Sequence, residues 1–133
     1  LGLLILFLFA VTTISFSQIS LINTSAYTQD FNTLASSGTS STMPSGWIFS
    51  ESGTNANTTY TAGTGAGNGG DTYSFGTLAT DRAIGGLRSG NLIPLFGAGF
   101  TNNTGSRITA LTIAFTGEQW RLGTTGRNDK VDF

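Results

Sequence analysis

The chain has 133 residues and a formal net charge of −1, and only 10% of its residues are charged, against roughly 25% in a typical soluble protein. So small a net charge creates no long-range field that would attract nucleic acid or anionic lipid. Cysteine and histidine are both absent from this chain, which excludes a disulfide-stapled scaffold, serine–histidine and cysteine–histidine nucleophilic sites, and an ordinary zinc site.

The first eleven residues form an uncharged apolar run, about half the length of a membrane-spanning helix of about 20 residues. Ser15 and Ser17 are small residues at the −3 and −1 positions of a signal-peptidase site, which places cleavage before Gln18. The sequence therefore predicts a signal peptide over residues 1–17 and one secreted domain over residues 18–133. An N-terminal membrane anchor is the alternative, because apolar residues continue beyond the cleavage position.

Both ends of the sequence predict an internal piece of a longer protein. No initiator Met and no basic segment precede the apolar run, although export signals normally carry one. The alternating pattern over residues 131–133 continues to the last residue, as in a strand that has not ended. We therefore expect the domain to be incomplete at its C-terminal end.

Beyond the leader, no stretch keeps apolar residues at helical spacing over three turns, whereas short alternating segments between turn residues recur, which indicates an all-β protein. Leu111, Ile113 and Phe115 alternate with Thr and Ala and mark the clearest strand, and a change of phase predicts a bulge at Gly117. An antiparallel, jelly-roll-like β-sandwich would bury such strands. The predicted strands lie at residues 27–32, 47–49, 59–61, 72–75, 98–101 and 107–116, the last two joined as a hairpin by a turn at 102–105.

Two segments are predicted to be loops, residues 36–42 and residues 63–70. The second consists almost entirely of turn-forming residues, and residues 65–70 match the dinucleotide-binding pattern Gly-x-Gly-x-x-Gly. That fold requires a hydrophobic strand before the pattern and a helix after it, and the sequence predicts neither. We therefore interpret the run as a turn-forming loop.

Carboxylates offer two alternatives to a purely structural role. Glu51 and Glu118, each near an aromatic residue, could act as the pair that glycoside hydrolysis needs. Asn68, Asp71 and Asp81 stand near Gly-rich turns and could bind calcium. Because the seven acidic residues are scattered singly and show no Asp-x-Asp spacing, we expect solvated or capping side chains. The sequence thus predicts no enzyme and no cofactor.

Aromatic residues carry the binding hypothesis, since exposed aromatic patches mark binding sites. Burial of both Trp residues in the core is the alternative. Arg121 adjoins Trp120 and lies close to Glu118, so an ion pair or a cation–π contact there would be purely structural. The candidates for a stacking platform are Trp47, Tyr60, Tyr73 and Trp120, and the candidate ligand-binding residues are Trp47, Glu118, Trp120 and Arg121.

Four motifs occur in the order Tyr-Ser-Phe-Gly at 73–76, Asp-Arg-Ala-Ile-Gly-Gly-Leu at 81–87, Phe-Thr-Asn-Asn-Thr-Gly at 100–105 and Gly-Glu-Gln-Trp-Arg-Leu-Gly at 117–123. This set resembles an uncharacterised N-terminal β-domain of large secreted bacterial proteins. Similar domains occur in Bacteroidetes-like exoproteins that end in a type IX sorting domain, and in cyanobacterial and anchor-bearing relatives. The resemblance covers residues 27–133. It implies a secreted or cell-surface location and a modular architecture, and it implies no catalytic residues.

We therefore expect a non-catalytic extracellular or cell-surface interaction module that binds a carbohydrate or another surface polymer. Downstream domains of the same chain would be its other partners, with no nucleic acid bound and no stable membrane span. The alternative function is an accessory domain of a secreted hydrolase, a nuclease or phosphatase whose catalytic domain lies downstream. A structural spacer without a ligand is a third interpretation.

Overall fold

A computed structural model describes residues 17–126 and Asp132, so the apolar leader and most of the C-terminal strand pattern lie outside the described residues. Within that part of the chain all regular structure is β-strand, which confirms the all-β prediction. No helix in the described residues is long and apolar enough to cross a membrane. The strands are β1 (Ile19–Leu21), β2 (Thr39–Ser40), β3 (Trp47–Ser52), β4 (Tyr60–Gly63), β5 (Asp71–Leu78), β6 (Asp81–Leu87), β7 (Ile93–Ala98) and β8 (Phe100–Asn102).

These strands form three small sheets. The largest has the order β2-β4-β5-β6, β3 pairs with β7, and β1 pairs with β8. The predicted antiparallel pairing is correct for three of the five ladders in the described residues, whereas β4–β5 and β1–β8 are parallel. Parallel neighbours usually need a connection of a dozen or more residues, but the Gly-rich loop returns the chain from β4 to β5 within residues 64–70.

Strand β3 follows the predicted alternation. Trp47 and Phe49 are half-buried on one face, whereas Ile48 on the other face is exposed. Beyond this ladder the Gly99 amide donates to the Gly46 carbonyl at 3.0 Å, and the Ile19 amide donates to the Gly99 carbonyl at 2.8 Å. Strand β1 therefore continues along the edge of the β7–β8 segment from the point where β3 begins.

The predicted hairpin between residues 98–101 and 107–116 is wrong. Its turn is present, because the Thr104 amide donates to Asn102 Oδ1 at 3.1 Å and Gly105 has a φ of 74°. Strand β8, however, pairs with β1 rather than with the residues that follow the turn. Residues 107–116 lie in no strand, so Gly117 interrupts none. Alternation identifies a strand-like segment but cannot supply its neighbour.

The strand predicted at residues 27–32 is also absent. Phe31 has a φ of 62°, in the left-handed region that extended strands do not use. The Leu34 amide donates to the Phe31 carbonyl at 3.0 Å and closes a turn there. The nearby loop predicted at residues 36–42 does contain the two residues of β2.

The buried interior contains both apolar and polar side chains. Arg82 of β6 is 5% exposed, and its Nε atom donates to Ser74 Oγ at 3.0 Å. Its Nη1 atom donates to the Gly76 carbonyl at 2.7 Å, and its Nη2 atom donates to the Ser74 carbonyl. Burial of a charge is costly unless hydrogen bonds compensate for the lost water, and these bonds do so. The buried apolar residues are Ile19, Leu34, Tyr60 and Leu92.

Candidate ligand-binding site

Three aromatic rings stand in a row on one face of the four-stranded sheet. In β5 the side chains of Thr72 and Ser74 are buried, so Tyr73 and Phe75, which alternate with them, point to the opposite, outer face. Their ring centroids are 4.9 Å apart with planes 19° apart. Trp120 continues the row, with its centroid 6.0 Å from that of Phe75 and its plane only 6° away. We call these three residues the ring ladder.

Glycines on the strands beside the ring ladder leave room for the Tyr73 and Phe75 rings. Gly85 of β6 pairs with Tyr73, and a Cβ atom at Gly85 would lie 2.8 Å from the Phe75 ring. Gly63 of β4 pairs with Phe75, and a Cβ atom there would lie 3.2 Å from the Tyr73 ring. Side chains on these neighbouring strands would therefore displace the rings from their present positions.

Arg121 fixes the Gly-rich loop against the ring ladder. Its Nη1 atom lies 3.4 Å, 3.1 Å and 3.1 Å from the carbonyl oxygens of Gly65, Ala66 and Gly67, and donates to them. The Tyr73 hydroxyl donates to the carbonyl of Gly69, later in the same loop, at 2.9 Å. The loop thus presents its carbonyl oxygens to the Arg121 guanidinium. This role accounts for a glycine pattern that also matches a dinucleotide-binding motif.

Gly65 is the point of closest approach between the loop and the ring ladder. It has a φ of 83°, a conformation that side-chain-bearing residues rarely adopt. A Cβ atom at this position would overlap the Trp120 carbonyl oxygen. Only glycine therefore allows the loop to pack this closely on the Trp120 backbone.

Glu118 places a carboxylate at the edge of the ring ladder. The Trp120 Nε1 atom donates to Glu118 Oε2 at 2.8 Å, and the Glu118 side chain is exposed. The structure gives Glu118 and Arg121 different partners, because the carboxylate accepts from the indole while the guanidinium donates to the loop. The ion pair or cation–π contact suggested by the sequence therefore stays a prediction, beside the hydrogen bonds that these two side chains make.

Trp47 lies in a separate aromatic cluster. Its Nε1 atom donates to the Tyr27 hydroxyl at 3.1 Å, and its ring meets the Phe31 ring edge-on with centroids 4.7 Å apart. Tyr60 is fully buried, with its hydroxyl donating to the Thr42 carbonyl at 2.9 Å. The four predicted platform aromatics are therefore not brought together, and only Tyr73 and Trp120 share the ring ladder.

Phe75 is the member of the ring ladder that sequence reasoning missed. The signal was present, because Tyr73 and Phe75 are two residues apart and share one face of any strand. The structure turns the Thr and Ser face of β5 inward and leaves both rings on the outer face.

The remaining carboxylate candidates make contacts that stabilise the strands and turns around them. Glu51 Oε1 accepts from the amide and the hydroxyl of Thr72, each at 2.8 Å, and Asp71 accepts from the Thr61 hydroxyl. Asp81 pairs with Leu78 in the turn between β5 and β6. In residues 17–126 and Asp132 the structure shows no group of three or more His, Cys, Asp or Glu residues that could hold a metal ion.

Burial and hydrogen bonding shift three titratable groups near β5. Burial, together with the adjacent Glu51 carboxylate, raises the pKa of Asp71. Burial would also raise the pKa of Glu51, but hydrogen bonds from Asn57 and Thr72 outweigh it and hold that pKa below the usual value. Burial and the negative charge of Asp71 raise the pKa of Tyr73, and the positive charge of Arg121 partly opposes them. The charges of Asp71 and Arg121 therefore both act at the Tyr73 end of the ring ladder, and that of Asp71 is the stronger influence.

Comparisons with models of protein families, with curated proteins and with solved structures find no match for this chain. The resemblance to a domain of secreted bacterial exoproteins therefore stays a prediction. The ring ladder, with Glu118 at its edge and the Gly-rich loop beside it, is the feature from which a function can be inferred.

Proposed function

We propose that this chain is a non-catalytic carbohydrate-binding module of a secreted or cell-surface protein. The observation that carries the proposal is the ring ladder on the outer face of the sheet, which ends in the half-buried indole of Trp120. A row of parallel rings on a sheet face is a rigid apolar platform. It costs little ordering entropy on binding, because stacking already holds each ring in place.

Sugar rings have the chemistry that this platform accepts. A pyranose presents C–H groups on its two faces and hydroxyl groups around its edge, so it can stack on an indole while its hydroxyls seek hydrogen-bond acceptors. The Glu118 carboxylate, held by the Trp120 Nε1 atom at 2.8 Å, is such an acceptor at the edge of the platform. Hydrogen bonds to an ionised acceptor are about twice as strong as neutral ones.

The proposal includes a sandwich arrangement of the sheets, jelly-roll-like in type. Two contacts support it: Glu51 of β3 accepts hydrogen bonds from Thr72 of β5, and Gly86 of β6 packs on Pro94 of β7. In the proposed sandwich the inner face of the four-stranded sheet packs against the β3–β7 sheet, and the ring ladder lies on the far side. Export through the predicted leader, residues 1–17, would deliver the domain to the extracellular polysaccharides it binds.

The experiment compares the two Trp residues of the chain, Trp47 and Trp120. The protein is screened for binding to immobilised polysaccharides, and affinities are then measured for Trp120→Ala and Trp47→Phe. Loss of the stacking platform in Trp120→Ala should weaken binding about tenfold. Trp47→Phe keeps a ring in its own cluster and should leave affinity unchanged. Circular dichroism checks that both variants are folded.

Trp47→Phe also leaves Trp120 as the sole fluorescent indole. Titration with a bound oligosaccharide should then shift or quench its emission, whereas Trp120→Phe should give a protein whose remaining Trp emission does not respond. Two results would overturn the proposal: binding that survives Trp120→Ala without loss, or no binding to any polysaccharide of the screen.

A further inference from the structure

We propose that the ring ladder takes neutral polysaccharides and discriminates against chains that carry carboxylate or sulfate groups. This inference rests on the proposed function and specifies the class of sugar. It follows from where the structure puts the charged side chains around the three rings.

Negative charge lies at both ends of the ring ladder. At one end the exposed Glu118 carboxylate accepts the indole N–H of Trp120 at 2.8 Å. At the other end Asp71 lies two residues before Tyr73 on the same face of β5, and its negative charge acts on the Tyr73 hydroxyl more strongly than the positive charge of Arg121 does. An anionic sugar stacked along the rings would thus approach a like charge at either end.

Among the described residues, two cations next to the ring ladder, Arg121 and Arg82, direct their hydrogen bonds to backbone and hydroxyl oxygens rather than to the rings. Arg121 follows Trp120 directly, but its Nη1 atom donates to the carbonyls of Gly65, Ala66 and Gly67. Arg82 of β6 is buried on the inner face of the sheet, where it bonds to Ser74 and Gly76. Neither guanidinium is directed to the platform as an arginine that recognises a carboxylate or sulfate would be.

Arg121 is therefore a positioning residue rather than a ligand contact. Its hydrogen bonds hold the Gly-rich loop where Gly65 packs on the Trp120 backbone. Arg121→Gln should weaken binding of neutral and anionic sugars by the same factor, because the loop and Trp120 lose their fixed positions. A residue that bound the anionic group itself would instead change the ratio between the two ligands.

The experiment uses oligosaccharides that share a backbone and differ only in charge. A β-1,4-linked mannan oligosaccharide and the corresponding mannuronate oligosaccharide differ at C6, which carries a hydroxymethyl group in one and a carboxylate in the other. Two unit charges about 4 Å apart in water repel enough to lower affinity about fivefold. The wild-type protein should therefore prefer the neutral ligand about fivefold or more, and added NaCl should reduce that preference.

Glu118→Gln is the informative variant, because it keeps an oxygen for the Trp120 indole while it removes the charge. We expect the neutral-to-anionic affinity ratio to fall toward one. Asp30→Asn is the matched control: Asp30 is exposed, accepts the Asn32 amide through Oδ1, and belongs to the segment beside Trp47. It changes the net charge equally and should leave the ratio as in the wild type.

The outcomes separate the two proposals. Equal or tighter binding of the mannuronate ligand, still lost in Trp120→Ala, would overturn the neutral-sugar inference and leave carbohydrate binding standing. The neutral-sugar inference is also overturned if Glu118→Gln and Asp30→Asn shift the ratio equally. If no oligosaccharide binds, or if Trp120→Ala binds as tightly as the wild type, the proposed function is wrong and the inference is wrong with it.

Discussion

Around β5 the two faces of the four-stranded sheet reverse the usual distribution of polar and aromatic side chains. On the inner face Thr72, Ser74 and Arg82 are buried, whereas on the outer face Tyr73 and Phe75 remain half-exposed. Around β5 hydrogen bonds hold the inner face and ring stacking holds the outer face. Alternation along β5 therefore predicts two different faces but does not predict which of them is buried.

Each face of the four-stranded sheet is stabilised by the type of interaction that suits its side chains. The three guanidinium nitrogens of Arg82 donate to the Ser74 hydroxyl and to the carbonyls of Ser74 and Gly76, and every deeply buried side-chain nitrogen or oxygen in the described residues has a hydrogen-bond partner. The rings on the outer face stack on one another and require the small residues Gly63 and Gly85 beside them. Because the stacked rings of the outer face remain half-exposed, they stay available to a ligand.

Breaking the inner face with Arg82→Met should have the greatest consequence. This change removes the donors that satisfy Ser74 and Gly76, and buried acceptors left unpaired cost about 1–3 kcal/mol each. We expect a loss of about 2–4 kcal/mol in the free energy of unfolding, measured by urea denaturation. Arg88→Met is the control, because Arg88 is exposed just after β6 and should change stability by less than about 0.5 kcal/mol. Equal stability of the two variants would contradict this account of the inner face.

A smaller effect should follow from breaking the outer face with Gly65→Ala. The φ of 83° and the overlap with the Trp120 carbonyl both oppose a side chain there. We expect a loss of about 1–2 kcal/mol in thermal unfolding measurements. Gly67→Ala is the control in the same loop, since its Cβ atom would lie at an ordinary 3.6 Å from the Tyr73 hydroxyl. If Gly67→Ala were as damaging as Gly65→Ala, the close packing on Trp120 would not be what holds the loop.

Part of this structure could be predicted from the sequence. Alternation correctly placed Trp47 and Phe49 on one face of a strand, and it located β4 and β5 within a few residues. Turn-forming residues identified the turn at residues 102–105 and the Gly-rich loop. These features depend on residues close together in the chain, where local geometry decides the outcome.

The rest depends on partners that are distant in sequence. Residues 107–116 have a strand pattern, but β8 is already paired with β1, more than 75 residues earlier in the chain. The site was only half predicted, because the Phe75 ring joins the ring ladder only beside Trp120, 45 positions later. Arg121 was a ligand-binding candidate, yet its partners lie in a loop 54 to 56 residues away.

The carboxylates that link the two faces should have the weakest effect on stability. The Thr72 amide donates to Glu51 Oε1 at 2.8 Å and to Asp71 Oδ1 at 2.9 Å, so one N–H group lies between two acids. The pKa of Asp71 is raised by burial and by Glu51, whereas in Glu51 hydrogen bonds from Asn57 and Thr72 overcome the effect of burial and lower the pKa. The pair is therefore most stable when it holds one proton.

The opposite directions of the two pKa shifts predict that the free energy of unfolding is greatest on the acidic side of neutrality. Asp71, with a raised pKa in the folded state, contributes stability that is complete below its usual value of 3.8 and is lost as pH rises through the raised pKa. Glu51, with a lowered pKa, contributes stability that is present above 4.5 and is lost as pH falls through the lowered pKa. Because both groups are largely solvent-screened, each contribution should stay below about 1 kcal/mol. Melting temperatures of the wild type should rise on mild acidification and then fall, while Asp71→Asn should show only the fall. Identical pH profiles for the two proteins would mean that ionisation of Asp71 next to Glu51 does not destabilise the folded state. The pair would then not contribute to the pH dependence of stability.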